Sequence, residues 1–520
     1  MSFKIACVGA GSLGFTRTLM HDLLAVPEFQ GITIALTDIS PKNLSMITKI
    51  LERDIRANKL PAKIESTTDR RKAFTDAKYI INSTRIGGLE AFATDIEIPL
   101  KYGVDQCVGD TLCAGGIMYG QRGIEAMRGF CEDVNDVAAP DALMLNYGNP
   151  NAMLTWAANE YFGVDCIGLC HGVQGGHWQL SDLIQRVVNG KKKEGDKGFR
   201  KVTMKDVDII CAGINHQTWY VQVIFDGVDW ANERREELIA AFESHPDYCK
   251  TERVRIDIMK RFGYYSTESN GHLSEYVPWY RKRKGETVNW IDMGSWINGE
   301  TGGYLRVCAE GRNWFETEFP KILAEAPWSL EKHHRSHEHG SYIIEGLETG
   351  RPYRGHFNVV NGDTLTNLPK DAIVEVPCWV DRNGVSVPAI GELPLACAAI
   401  CSTSINVQRL AVLAAIEGDV ELLKQAMLLD PLTSAVCTTP EISQMTDEML
   451  IAQAKWLPQY KGSLAATKKR FASEKKLGTW TWEGVGRKQL ATATAVTKRN
   501  AATAAKRKAG KKLDIAEPEG

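Results

Sequence analysis

A doubly wound α/β fold, its parallel sheet followed by an α+β region, is what this amino-acid sequence predicts. Three observations predict it. A strand-like run ends in a glycine triplet that opens a helix, an acid closes the next strand, and further apolar runs alternate with helix-length stretches.

The first element is the apolar run Lys4–Val8, followed by Gly9-Ala10-Gly11-Ser12-Leu13-Gly14 and a helical pattern over Phe15–Leu24. In a G-x-G-x-x-G turn, Gly9 permits the tight bend, Gly11 lets the backbone approach a pyrophosphate, and Gly14 allows the helix to pack closely. The helix N-terminus, with Ser12 and Leu13 in the turn, then faces the negative charge. Asp38 follows the second run, residues 32–36, at 24 residues beyond Gly14. An acid there accepts from the adenosine ribose hydroxyls and repels a 2′-phosphate, which favours NAD over NADP. Runs at 79–81, 142–145 and 165–169 continue the alternation.

From about residue 201 the pattern changes to strand-like pieces at 207–212 and 219–225, then long charged helices. The Lys- and Gly-rich stretch 189–201 reads as an exposed loop between two regions. The chain thus divides into a dinucleotide-binding domain over 1–200, an α+β domain over 201–460 and a basic extension over 461–520. That extension holds 15 Lys or Arg against 5 Asp or Glu, the composition of a solvated tail.

With 44% hydrophobic and 24% charged residues, the 520-residue chain can bury a large core. A net charge of -2 argues against nucleic-acid or membrane-surface partners, which need a concentrated positive field. No window of 18 apolar residues occurs and the N-terminus has no signal pattern. Thirteen cysteines without repeated spacing read as reduced thiols, so a cytoplasmic protein is expected.

Two segments stand at strand ends with metal-ligating chemistry: Cys170-His171-Gly172 and Gly213-Ile214-Asn215-His216. Each alone is as readily structural. Together, near a cofactor crevice, a Cys and a His form a candidate thiolate–imidazole site. Polar clusters follow other runs, with Arg85, Asp110 and Asn149 among them, and suit the orientation of a polyhydroxylated substrate. The stretch 267–279 is dense in acid-base groups and aromatics, and it also fits a capped helix with a packed aromatic end.

These residues resemble glycoside hydrolase family 4, and within it the melibiase-like α-galactosidase branch. The likeness runs from about residue 3 to 460 and includes GAGSLGF, GDTLCAGGIMYG, LNYGNPNAM, GLCHGVQG, CAGINH, RFGYYSTESNGHLSEYVPWY, INVQRL and LLDPLTSAV. It implies a Rossmann-like fold related to lactate and malate dehydrogenases, and α-glycoside cleavage outside the two-carboxylate scheme. The implied route is oxidation at C3, deprotonation at C2, elimination, water addition and re-reduction. NAD and a divalent ion, usually manganese, are the implied cofactors, with Cys170 and His216 as metal ligands. Tyr276 is the implied base, with Tyr265 behind it. Asn149, Arg85, His171 and His216 would face the sugar, and Arg85 also the cofactor. His171 and Asp110 are rivals for the leaving-group acid. A small-molecule glycoside is the expected partner, bound by a dimer or tetramer of like subunits.

Two departures bear on the sugar. Gly172 stands where melibiase-like relatives carry Ser, a change associated with the uronic-acid-cleaving branch, and a basic run, Arg281-Lys282-Arg283-Lys284, follows Tyr276. Both leave room for an acidic C6 group, as in a glucuronide, galacturonide or sulfoquinovoside. A plain NAD-dependent dehydrogenase and a silent sugar sensor are the rival classes. Cys170, His216 and Tyr276 together weigh against both.

Overall fold

The protein is described by a computed structural model over residues 1–312, 314–481 and 484–491. β1 (Lys4–Val8) runs into the glycine turn and the helix Phe15–Leu24 leaves it, with the bounds the sequence predicts. β2 (Thr33–Thr37), β3 (Lys63–Thr67), β4 (Ala77–Asn82), β5 (Leu143–Asn146) and β6 (Cys166–Gly168) follow. These six strands pair in parallel in the order β3-β2-β1-β4-β5-β6. The order reverses between β1 and β4, so a crevice opens beyond their carboxyl ends, where dinucleotides bind in such sheets. Ile5 and Ala6 of β1 and Ile80 and Ile81 of β4 are buried, as central parallel strands covered on both faces require. The edge strand β3 has no apolar run in the sequence, because its residues are mostly exposed.

The second half of the chain extends the same sheet. It adds β7 (Asp208–Ile214), β8 (Gln217–Phe225), β9 (Val228–Asp229), β10 (Tyr353–Val360), β11 (Ile373–Asp381) and β12 (Gly384–Ser386). β10 pairs antiparallel with β6, and antiparallel pairs carry the sheet on through β11, β7, β8 and β9, with β12 on β11. This corrects one expectation. His216 does not end a parallel strand. It stands in the two-residue turn between β7 and β8, where Ile214 pairs with Gln217, and takes a left-handed φ of 65°.

One large apolar core spans the parallel sheet and the helices Cys113–Val137 and Leu395–Glu417. A second cluster gathers Val173, Leu180, Tyr220, Trp230, Phe242 and Tyr265. The helix Leu395–Glu417 is long and apolar enough to cross a membrane by composition. Its Cys397, Cys401, Ile405 and Ala411 are fully buried in the large core.

After the helix Leu464–Ser473 the chain returns across the molecule. The amides of Val485, Lys488 and Ala491 donate to Thr301 Oγ1, Glu300 Oε1 and Glu310 Oε1, each at 2.9 Å, and Arg487 pairs with Glu97 at 2.7 Å. The basic residues from 492 onward lie outside the described residues.

Candidate active site

The glycine turn is shaped around Asp38. Gly9 takes φ 78°, and a β-carbon there would meet the Ser83 backbone at 3.0 Å. The Gly11 amide donates to Asp38 Oδ2 at 2.8 Å, and the Ser40 amide donates to Oδ1 at 2.8 Å. A β-carbon on Gly11 would stand 2.6 Å from Oδ2. Asp38 is therefore fixed beside the turn by the protein itself. Gly14 is the N-cap of the helix, Ser12 Oγ accepts from the Phe15 amide at 3.2 Å, and Leu13 is buried in the core.

A denser cluster forms where β6 ends. The ligating atoms of Cys170, His216 and Glu268 lie within 4.8 Å of one another, and those of Asp110, His216 and His272 form a second such group. Thr111 fixes the shared imidazole. Its hydroxyl donates to Asp110 Oδ1 at 2.9 Å, so its oxygen is left to accept from His216 Nδ1 at 2.7 Å. The exchangeable site of His216 is then Nε2, which faces Glu268 Oε1 at 3.7 Å.

Electrostatics follow from the crowding. Burial raises the Asp110 and Glu268 carboxyls, but the charge of His272 and His216 holds both below the usual range. Burial opposes charge on His216, yet Glu268, Cys170 and Asp110 draw it well above its ordinary value. Burial keeps His272 low, and it pushes the Cys170 thiol up against the pull of His216. A thiol, an imidazole and carboxylates are a donor set that fits a divalent transition ion, which would take the place of the His216 proton.

Tyr276 ends the helix Asn270–Tyr276, whose N-cap Ser269 accepts from the His272 amide. Its ring lies 8° from parallel to His216 at 6.3 Å, and it is fully buried. The phenol oxygen, beside Thr111, has no hydrogen-bond partner of good geometry among the described residues. Burial first, then Asp110 and Glu275, pushes this phenol well above its ordinary value, so only added positive charge can bring it down. The buried carboxamide of Asn215 also lacks a partner among the described residues. Orphaned polar groups on the residue before His216 and on the ring stacked beside it mark a place built for something more.

Around this centre the structure gathers most of the expected substrate residues. Asn149 Nδ2 donates to Asp110 Oδ2 at 3.0 Å. The Arg85 guanidinium sits 3.9, 4.9 and 5.1 Å from the rings of Phe92, Tyr119 and Tyr304, with no carboxylate ion-paired to it among the described residues. His171 stands apart at the rim. Its side chain is 54% exposed and its Nε2 lies 2.8 Å from Glu338. Tyr265 belongs to the second core, where its hydroxyl donates to Gln179 Oε1 at 2.8 Å and Arg255 covers its ring at 4.1 Å, so it is removed as an alternative base. The basic run also changes meaning. Arg281 is fully buried and paired with Asp105 at 2.8 Å, while the next three residues are exposed.

Sequence reasoning gave no role to Thr111, Glu268, His272 or Glu275. The i, i+4 spacing of Glu268 and His272, which are 3.2 Å apart, was the available signal for that pair. Glu275 gathers the amides of Cys107, Val108 and Gly109 at 2.6, 3.1 and 3.0 Å, a long-range contact without a local signature.

Comparison with known proteins agrees over nearly the whole chain. Residues 4–186 match the family description "Family 4 glycosyl hydrolase", and residues 211–433 match "Family 4 glycosyl hydrolase C-terminal domain". An alpha-galactosidase of Rhizobium meliloti (strain 1021) is 56% identical over 489 residues, 94% of this chain and 96% of that protein. The chain belongs to family 4 of the glycosyl hydrolases. A second family 4 relative, the alpha-galactosidase of Bacillus subtilis (strain 168), is 36% identical and covers 88% of this chain and 100% of its own. The crystal structure of lplD from Bacillus subtilis superposes with a TM-score of 0.73 at 26% identity, over 86% of this chain and 100% of that one. A 6-phospho-alpha-glucosidase from gut microorganisms, solved with NAD and Mn2+, shares the fold at 20% identity, with a TM-score of 0.69 over 89% of this chain and 100% of its own.

Proposed function

We propose that this family 4 protein is an NAD- and manganese-dependent α-galactosidase that cleaves small α-galactosides. The observation that carries the reading is the convergence of Cys170 and His216 beside the buried, partnerless hydroxyl of Tyr276. The named activity of the 56% identical relative supports the galactoside. A neutral C6 group fits, because Arg281 is neutralised by Asp105 and the rest of the basic run is on the surface. Residues 1–200 would bind NAD at the Gly9-to-Gly14 turn, with Asp38 reading the ribose. Residues 201–460 would supply His216, Tyr276 and the contacts of a dimer or tetramer. All thirteen cysteines are free, which suits a reducing cytoplasm.

When bound, NAD would supply a reversible hydride acceptor for the sugar C3, and a divalent ion held by Cys170 and His216 would supply positive charge beside the reacting sugar. Tyr276, its phenol lowered by such charge, would take the C2 proton. His171, whose Nε2 lies 2.8 Å from Glu338 at the rim, hands a proton to the leaving oxygen. Asp110 is held ionised, so it is the weaker acid candidate. It accepts from sugar hydroxyls together with Asn149, while Arg85 donates.

The test is isotopic. Turnover of an α-galactoside in heavy water, with NAD and Mn2+, leaves deuterium at C2 of the released sugar and no accumulated NADH. Tyr276→Phe retains substrate binding and loses on the order of 10²–10⁴-fold in kcat. Product carrying only protium at C2 removes Tyr276 from this role, and stoichiometric NADH identifies a dehydrogenase instead.

A further inference from the structure

We propose that Glu268 is a third protein ligand of the metal centre, and that Gly172 is the residue that admits it. The proposal rests on the metal reading of Cys170 and His216. Glu268 Oε1 lies 3.9 Å from Cys170 Sγ and 3.7 Å from His216 Nε2, while Oε2 lies 3.2 Å from His272 Nδ1. One oxygen is thus turned to the thiol and imidazole, and the other accepts from the Ser269 amide at 3.4 Å beside His272. That is how a ligating carboxylate is held in place.

Gly172 supplies the independent observation. It opens the helix Gly172–Asn189 and is not among the residues with positive φ, so the backbone does not require a glycine there. Space does. A β-carbon at 172 would stand 2.2 Å from Glu268 Oε1 and 3.8 Å from Cys170 Sγ. Because Oε1 is the far end of a flexible side chain, a larger residue displaces the carboxylate and leaves the helix intact. The absence of a side chain at 172 is therefore a feature of the ion site.

The chemistry has a direction. A thiolate and an imidazole alone favour softer ions that lie higher in the Irving–Williams order, whereas carboxylate oxygen suits manganese. Glu268 thereby tilts a soft pair toward a hard metal.

The experiment titrates reduced, metal-free, NAD-loaded protein with Mn2+ and with Zn2+ by calorimetry, and follows bound Mn2+ by electron paramagnetic resonance. NAD affinity and melting temperature serve as checks on folding. E268Q is expected to weaken Mn2+ at least by the ~10–100-fold typical of a disturbed metal shell, and Zn2+ by less. G172S is expected to weaken Mn2+ to a similar extent. The double variant G172S/E268Q is expected to bind no more weakly than E268Q, because both changes remove one contact. Wild-type Mn2+ affinity in E268Q overturns the ligation and leaves Glu268 as a partner of His272 alone. Wild-type affinity in G172S, or losses that add in the double variant, overturns the part given to Gly172. A wild-type protein that binds no Mn2+ overturns this proposal together with the metal reading beneath it.

Discussion

Glu375 is an acid in the interior of β11, and its surroundings decide its proton. Burial pushes its carboxyl up to about 7, against a hydrogen bond with Thr218 and the charge of His216. The Thr218 hydroxyl has one hydrogen and two partners, the Ile214 carbonyl at 2.9 Å and Glu375 Oε2 at 2.5 Å. A protonated Glu375 satisfies both, by donating to Thr218 while Thr218 donates to Ile214. A folded value raised from the ordinary 4.5 means that the folded state holds this proton more tightly than the unfolded chain. The stability that Glu375 contributes is complete below about pH 4.5 and is lost as pH rises through 7. Glu375→Gln is expected to remove that part of the slope. Urea unfolding of both proteins from pH 4.5 to 8 measures it, and parallel curves would rule the assignment out. At this scale the sequence was legible where ligating chemistry follows a strand, as with Cys170 and His216, which the fold brings together. It was silent on Glu375 and Thr111, whose meaning comes from partners far along the chain.

The loop 107–111 and the helix Asn270–Tyr276 form one unit although they are distant in sequence. Glu275 accepts three amides of the loop, and the loop delivers Asp110 and Thr111 to the site. Buried amides left without an acceptor cost about 1–3 kcal/mol each. Glu275→Ala is therefore expected to lower unfolding free energy by about 3 kcal/mol or more and to weaken Mn2+ binding through the freed Thr111. Glu275→Gln keeps one acceptor oxygen and loses less. A Glu275→Ala protein with wild-type stability would show that solvent replaces the carboxylate. Strands were legible according to their burial. β1, β4 and β5 lie inside the sheet and appear as apolar runs, while β3 at the edge does not. β10 and β11 escaped notice because His356, Asn358, Glu375 and Pro377 interrupt their apolar pattern. The direction in which β7 joins the sheet is set by tertiary pairing, and no local pattern reports it.

Across the whole molecule a single 12-stranded sheet joins the two halves that composition separates, so the site lies at a seam inside one continuous surface. The returning C-terminal segment adds a second join. Its amides hold Glu300, Thr301 and Glu310, which flank and end the helix Gly303–Glu310, and that helix places Tyr304 against Arg85. A chain ended after Gly484 is expected to keep NAD affinity while KM for an α-galactoside rises on the order of tenfold, the worth of one or two lost hydrogen bonds. Steady-state kinetics beside NAD titration measures this, and an unchanged KM would free the segment of any part in the site. The order of synthesis gives this join a further meaning. The wall of the Arg85 cage is fastened by residues 485–491, which are made long after the cofactor half, so a growing chain can fold that half and still lack a finished sugar pocket. Glycoside cleavage then depends on residues 485–491 being in place, a property that any change to this segment has to respect.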